Sequence, residues 1–174
     1  MQRLVSAAAL ICVAAAAGSA AQGTASTAVY RYRAAIAALL QLKPGMVVAE
    51  VGATPGVIGP EMAPLVAPGG RVITASLDRK TGSTNLEPGS VDAVALVGVF
   101  GAIDAHQKLL EGAALALKPG GALLVVDVPQ ENDGKKITGI EADDVVRLAT
   151  GAGLTREAES GIVPGHYAIR FRKP

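Results

Sequence analysis

Pro-Gly pairs punctuate this chain, and four of them stand just before an apolar run. Pro44-Gly45 precedes Met46–Val51, and Pro68-Gly69-Gly70 precedes Arg71–Ser76. Pro88-Gly89 precedes Val91–Val97, and Pro119-Gly120-Gly121 precedes Ala122–Val128. Proline lacks an N–H and fixes φ, while glycine opens positive φ, so each pair ends one element and turns the chain into the next. The runs are short and apolar almost throughout, which marks strands covered on both faces. Residues 57–66, 104–117 and 140–150 between and after them read as helices; Leu109, Leu110, Ala113 and Leu117 line one face of the second. Asp104 is its expected cap. Pro60 suits a first turn, whereas Pro64 is expected to kink or shorten its helix.

An earlier helix is expected over Tyr30–Leu42, from Ile36, Leu39, Leu40 and Leu42. Leu154–Ser160 and His166–Arg172 alternate as two closing strands joined through Pro164-Gly165. Asp78–Gly89 and Gln130–Gly139 read as loops. The order predicts an α/β fold: a doubly wound, mainly parallel sheet with helices on both faces. The chain of 174 residues is long enough for one such domain. Half of it is hydrophobic but only Tyr30, Tyr32, Phe100, Tyr167 and Phe171 are aromatic, so the core is aliphatic. A net charge of +1, no basic face and few stacking rings argue against nucleic-acid binding.

The first residues stand apart. Arg3 opens a nearly unbroken apolar stretch from Leu4 to Gly18, and Ser19-Ala20-Ala21 follows. This is the pattern of a signal peptide over residues 1–21, with an uncleaved anchor as the alternative. Residues 22–32 then form a leader and 33–174 the domain. Either alternative places the domain outside the cytoplasm, periplasmic or secreted, with no membrane contact once cleavage has occurred. Cleavage would also remove Cys12, the only cysteine, and with it any disulfide or thiolate metal site.

Glu50–Gly59 is a strand–loop–helix turn of the kind that seats a nucleotide-like ligand. Glycines there let backbone approach a ligand closely. It lacks the G-x-G-x-x-G of dinucleotide turns, because Thr54 and Val57 occupy the later glycine positions, and it lacks the Gly-Lys-Ser/Thr of a phosphate-binding loop. Five features in order carry a resemblance: Leu42-Lys43-Pro44-Gly45; Glu50-x-Gly52-x-x-x-Gly56; Ala67-Pro68-Gly69-Gly70-Arg71-Val72; Glu87-Pro88-Gly89-Ser90-Val91-Asp92; and Leu117-Lys118-Pro119-Gly120-Gly121. Together with the late Tyr167-x-x-x-Phe171-Arg172-Lys173-Pro174, the chain resembles the class I S-adenosylmethionine-dependent methyltransferases, in particular an exported bacterial branch.

The resemblance implies S-adenosylmethionine as cofactor and a small molecule as methyl acceptor. It implies that Glu50 helps hold the methionine amino group and that Gly52 and Gly56 lie beneath the cofactor. Thr54 replaces the family's middle glycine, placing a side chain where the cofactor passes. The ribose-clasping acid falls on Ser76, and Asp78 is the carboxylate within two residues of it. Only Leu77–Ser90 joins the second and third strands, too short for the family's usual helix and strand, so one helix–strand unit is missing.

Methyl transfer from a sulfonium is a direct displacement that positioning alone can promote. Gly98, Val99, Phe100 and Gly101 beyond the third strand offer no acid or base. Asp104 and His106 are the nearest candidates, with a cap and a surface residue as their structural alternatives. Glu50 has an alternative too, as an acceptor for N–H groups of its own loop. Two separated histidines make no metal site. A non-catalytic exported protein that keeps the fold for binding or structure is the alternative function.

Overall fold

The computed structural model describes residues 27–174, apart from Ala53 and residues 133–136. The expected signal segment, Cys12 and the start of the leader lie outside the described residues. Helix α1 (Thr27–Leu39) leads into β1 (Val47–Gly52), α2 (Gly59–Val66) and β2 (Arg71–Thr74). A long loop reaches β3 (Val91–Val97), followed by α3 (His106–Ala116) and β4 (Leu117–Asp127). A two-stranded hairpin, β5 (Glu131–Asn132) and β6 (Ile137–Thr138), precedes α4 (Ala142–Gly151), β7 (Thr155–Ser160) and β8 (Tyr167–Arg172).

The main sheet has six strands in the order β2-β1-β3-β4-β8-β7. β2, β1, β3 and β4 are parallel, and β8 and β7 close the sheet antiparallel. β3 and β4 are central, and from Val91 to Val97 only Asp92 is less than fully buried. That explains their unbroken apolar runs. Alternate residues feed two cores. Val94, Leu96, Leu123 and Val125 meet Leu109, Leu110 and Ala113 of α3 and Val145 of α4 on one face. Ala93, Ala95, Leu124 and Val126 share the other core with Ile36 of α1 and Met62 of α2. At about 25 cal/mol per Å² of apolar surface, these two layers are the main source of stability.

Several boundaries differ from the sequence expectation for physical reasons. Asp104 does not cap α3: the cap position is Ala105, with no side-chain bond, and Asp104 is exposed. Lys118–Gly121 does not separate helix from strand. β4 already runs from Leu117, because Val91 pairs with Leu117 before the register shifts to Ala93–Ala122. Lys118 is held there by Asp92 at 2.8 Å, and the other Asp92 oxygen accepts the Val47 N–H at 2.7 Å. Pro60 does sit in the first turn of α2, and Pro64 lies inside that helix without ending it before Val66. α1 starts at Thr27 and so includes residues 27–32. Arg33 ties it to Glu61 of α2 at 2.8 Å. The loop over Gln130–Gly139 carries the short hairpin. No helix among the described residues is long and apolar enough to cross a membrane.

Candidate functional site

The chain runs from β1 out to β2, then returns to the opposite side of β1 as β3. Strand order therefore reverses between β1 and β3, and their carboxyl ends border the crevice where such sheets bind ligands. Glu50 pairs with Thr74, and Gly52 with Val97. The pairing of β1 with β2 ends at Glu50 and Thr74, with the Ala75 N–H donating to the Glu50 carbonyl at 2.8 Å, and Ser76 follows just beyond. Gly98 follows Val97, and Asp127 follows Val126, the partner of Val97. Gly52, Val97 and Val126 are therefore level, and Gly98 and Asp127 stand one residue beyond them at the rim.

Glu50 is fully buried, and both of its carboxylate oxygens are engaged by its own loop. Its Oε1 accepts the N–H groups of Val57 at 2.8 Å and Ile58 at 3.0 Å, and Oε2 accepts that of Gly59 at 2.9 Å. These donors form the entry to α2, where backbone N–H groups lack helical partners and partial positive charge accumulates. The carboxylate fastens helix to strand. Gly59 is glycine because a Cβ there would stand 2.9 Å from Glu50 Oε2.

The glycines of the turn divide. A Cβ on Gly52 would meet the Thr54 carbonyl oxygen at 3.0 Å and that of Val97 at 3.4 Å, so the chain itself occupies the space over Gly52. Gly56 (φ +79°) and Gly98 (φ +61°) have positive φ, and a Cβ at either would meet nothing within 4 Å. The open backbone of the crevice is therefore at Gly56 and Gly98. Thr54 is half-buried, and its backbone folds back over Gly52.

Ser76 and Asp78 follow β2. Asp78 Oδ1 accepts the N–H groups of Lys80 at 2.9 Å and Thr81 at 3.2 Å. Those bonds hold its carboxyl below the usual range. Asp78 closes its own turn. Ser76 Oγ instead accepts the Asn85 amide N–H at 3.3 Å, and Ser83 Oγ–H donates to Asn85 Oδ1 at 3.3 Å. The loop carrying them is braced against α3: Thr84 is buried, and a Cβ on Gly82 would lie 2.8 Å from the Ala105 carbonyl. Asn85 gave no signal in the sequence, since its loop lacks periodicity.

Asp127 is 3% exposed and accepts the N–H of Phe100 at 3.1 Å and of Val128 at 2.9 Å. Burial raises its pKa despite those bonds. It anchors the 3-10 turn Phe100–Ala102, which His106 grips from the other side. His106 Nε2 lies 2.9 Å from the Phe100 carbonyl and 2.8 Å from that of Ile103. With two carbonyl partners, Nε2 carries the proton. His166 Nδ1 donates to the Pro164 carbonyl at 2.9 Å. Among the described residues, no group of three or more His, Cys, Asp or Glu is arranged to hold a metal ion.

The raised pKa of Asp127 has a defined consequence. A carboxyl that binds its proton more tightly folded than unfolded contributes its stability below the unfolded pKa, and that contribution is lost as pH rises through the folded value. The unfolding free energy of wild type relative to Asp127→Asn is therefore expected to fall as pH rises from below 3.8 toward neutrality. Urea titrations of both proteins at several pH values measure this difference. A pH-independent difference would show that Asp127 ionises as freely as in the unfolded chain.

No protein-family model matches the sequence, and no curated protein matches it. Solved structures do. A SAM dependent methyltransferase from Aquifex aeolicus superposes with a TM-score of 0.67 at 18% identity, covering 83% of this chain and 93% of that one. A putative methyltransferase from Bacillus halodurans gives 0.63 at 12% identity, covering 82% and 98%. The Burkholderia thailandensis 1,6-didemethyltoxoflavin-N1-methyltransferase, solved with S-adenosylhomocysteine, gives 0.61 at 16% identity, covering 84% and 78%. At these identities the likeness is one of fold: a mixed, mainly parallel six-stranded sheet whose strand order matches a methyltransferase Rossmann-like fold.

Proposed function

We propose that this chain binds S-adenosylmethionine at the β1–β3 crevice and transfers its methyl group to a small molecule. The Glu50-anchored turn carries this reading. A dinucleotide or phosphate site uses free N–H groups at a helix N-terminus to hold an anion. Here Val57, Ile58 and Gly59 have given those N–H groups to a buried carboxylate. A phosphate would meet negative charge in that place. A ligand that joins a nucleoside to a cationic sulfur and carries no phosphate suits it better.

The residues fit such a ligand. Gly56 and Gly98 leave backbone open toward the crevice. When bound, the cofactor supplies an activated methyl group on sulfur. The chain's part is to orient ligand and acceptor and to exclude water, which is where most of the rate of such a displacement arises. The turn over Phe100–Ala102, fixed by Asp127 and His106, forms the wall beyond β3.

Calorimetric titration of the purified chain with S-adenosylmethionine tests the proposal. Saturable heat is expected at sub-millimolar to millimolar ligand, and no heat at millimolar ligand rejects it. A second reading, a non-catalytic protein that keeps the fold, draws on Asp78: the carboxylate nearest the ribose position is spent on its own turn. That reading gains if the cofactor fails to bind. The N-terminal pattern supports a further proposal, that the mature domain works outside the cytoplasm. Sequencing the first residues of exported protein, expected near Gln22, checks it.

A further inference from the structure

We propose that Arg170 is the base of an oxyanion site on the α1 side of the sheet, open at the edge strand β7 and separate from the β1–β3 crevice. Its ligand is a carboxylate or phosphate group that offers two oxygens to one guanidinium fork. Side chains alternate between the faces of a strand. On β8, Ile169 and Phe171 enter the core under α3 and α4, and Ala168 enters the core under α1 and α2. Arg170 therefore shares the α1 face with Ala168. It is held on both sides, paired with Leu124 of β4 and with Ala158 of β7.

This is a costly place for a cation. Arg170 is 8% exposed, and its Nε is buried without a hydrogen-bond partner. Its side chain donates no hydrogen bond to any described residue. Buried polar groups are nearly always bonded, and a buried charge most of all needs it. The nearest carboxylate is Glu157, whose Oε2 lies 3.4 Å from Nε, an ion pair outside the range of about 2.7–3.2 Å for an N–H···O bond. Glu157 is engaged elsewhere. It is the extra residue of a bulge between Arg156 and Ala158. Arg172 Nε donates to its Oε1, and Arg172 Nη2 to its Oε2 at 3.1 Å. Arg172 Nη1 donates to the Gly120 carbonyl at 2.7 Å. Those bonds, with the charge of Arg170 behind them, hold the Glu157 carboxyl below the usual range. Two arginines thus share one carboxylate. Arg172 is satisfied, and Arg170 keeps both its donors and an uncompensated charge.

The way in is open. Only Nε of the guanidinium is both sealed from solvent and unbonded, so its two Nη groups reach the surface. The strand neighbour on that side is the small Ala158, and β7 is the edge of the sheet, exposed from Thr155 to Glu159. A planar guanidinium presents parallel N–H groups that match the oxygens of a carboxylate or a phosphate.

The test uses the purified whole chain, with acetate and inorganic phosphate as probes at constant ionic strength. NMR follows the Nε–H signals of the arginines, assigned through the backbone of β8, so no Arg170 variant has to fold. The Arg170 signal is expected to move saturably at millimolar anion. Glu157→Gln removes the competing charge and keeps both arginines. It is expected to tighten binding about tenfold, the scale of one charge-assisted hydrogen bond. Saturation by acetate alone assigns the site to carboxylates, by phosphate alone to phosphates, and either result supports it. An Arg170 signal unmoved by both anions, or moved no more than that of Arg147, which is exposed on α4, overturns the site. So does unchanged affinity in Glu157→Gln. None of these outcomes bears on S-adenosylmethionine at the crevice.

Discussion

Alanine at position 50 is expected to lower the unfolding free energy by about 4 kcal/mol, since each buried donor left without a partner costs on the order of 1–3 kcal/mol. Three such donors, the N–H groups of Val57, Ile58 and Gly59, depend on this one carboxylate. Water cannot easily replace it, because Glu50 is fully buried and the three donor residues are buried around it. For a domain of this size the melting temperature should fall by about 10 °C. Glutamine keeps one acceptor oxygen but turns an N–H toward a donor, so Glu50→Gln should cost about 2 kcal/mol, one unsatisfied group plus the lost charge. Glu61→Ala is the control: its half-exposed ion pair with Arg33 is worth about 0.5 kcal/mol. Thermal and urea unfolding measure all three. An alanine variant as stable as wild type would mean that Glu50 is held for a ligand and not for the fold.

Gly70→Ala should be comparably severe, at about 3 kcal/mol or more, for a steric reason. A Cβ at this position would stand 2.4 Å from the Met46 carbonyl oxygen and 2.5 Å from that of Val66. Both obstacles are backbone, so no rotamer change relieves them. Both are also in use: Gly70 N–H donates to Val66 at 3.0 Å and Arg71 N–H to Met46 at 3.0 Å. Moving either carbonyl away detaches β2 from the end of α2 or from the start of β1. The expected result is a large loss of urea stability or failure to accumulate folded protein. Gly112 provides the contrast within α3. A Cβ there meets nothing within 4 Å, and alanine should stabilise the helix by about 0.4–1 kcal/mol through the unfolded chain. If Gly70→Ala unfolds like wild type, the approach of α2 to β1 is looser than these distances require.

Local chemistry made much of the fold legible. Unbroken apolar runs after Pro-Gly pairs identified β1, β3 and β4, because strands buried on both faces need no polar alternation. Residues 77–90 were too few for a further helix and strand, and β2 is accordingly the edge of the sheet. Boundaries were less legible where pairing overrides a local stop. Lys118-Pro119-Gly120-Gly121 has the composition of a turn, yet the pairing of Leu117 with Val91 and the Lys118–Asp92 bond draw it into β4. Asp104 has the chemistry of a cap, but α3 begins two residues later.

By itself the sequence determined the class of fold, the succession of the four helices and the six strands of the main sheet, and the position of the turn at Glu50–Gly59, because periodicity and glycine or proline conformation act over a few residues. Only the tertiary structure decided what the polar groups of that turn touch. It gave Glu50 to the N–H groups of α2, closed Asp78 onto its own loop, and brought Asn85 to Ser76. A side chain's hydrogen-bond partner is set by which backbone arrives within about 3 Å of it. For Ser76 that was decided by a loop braced against α3, which no pattern along the chain records.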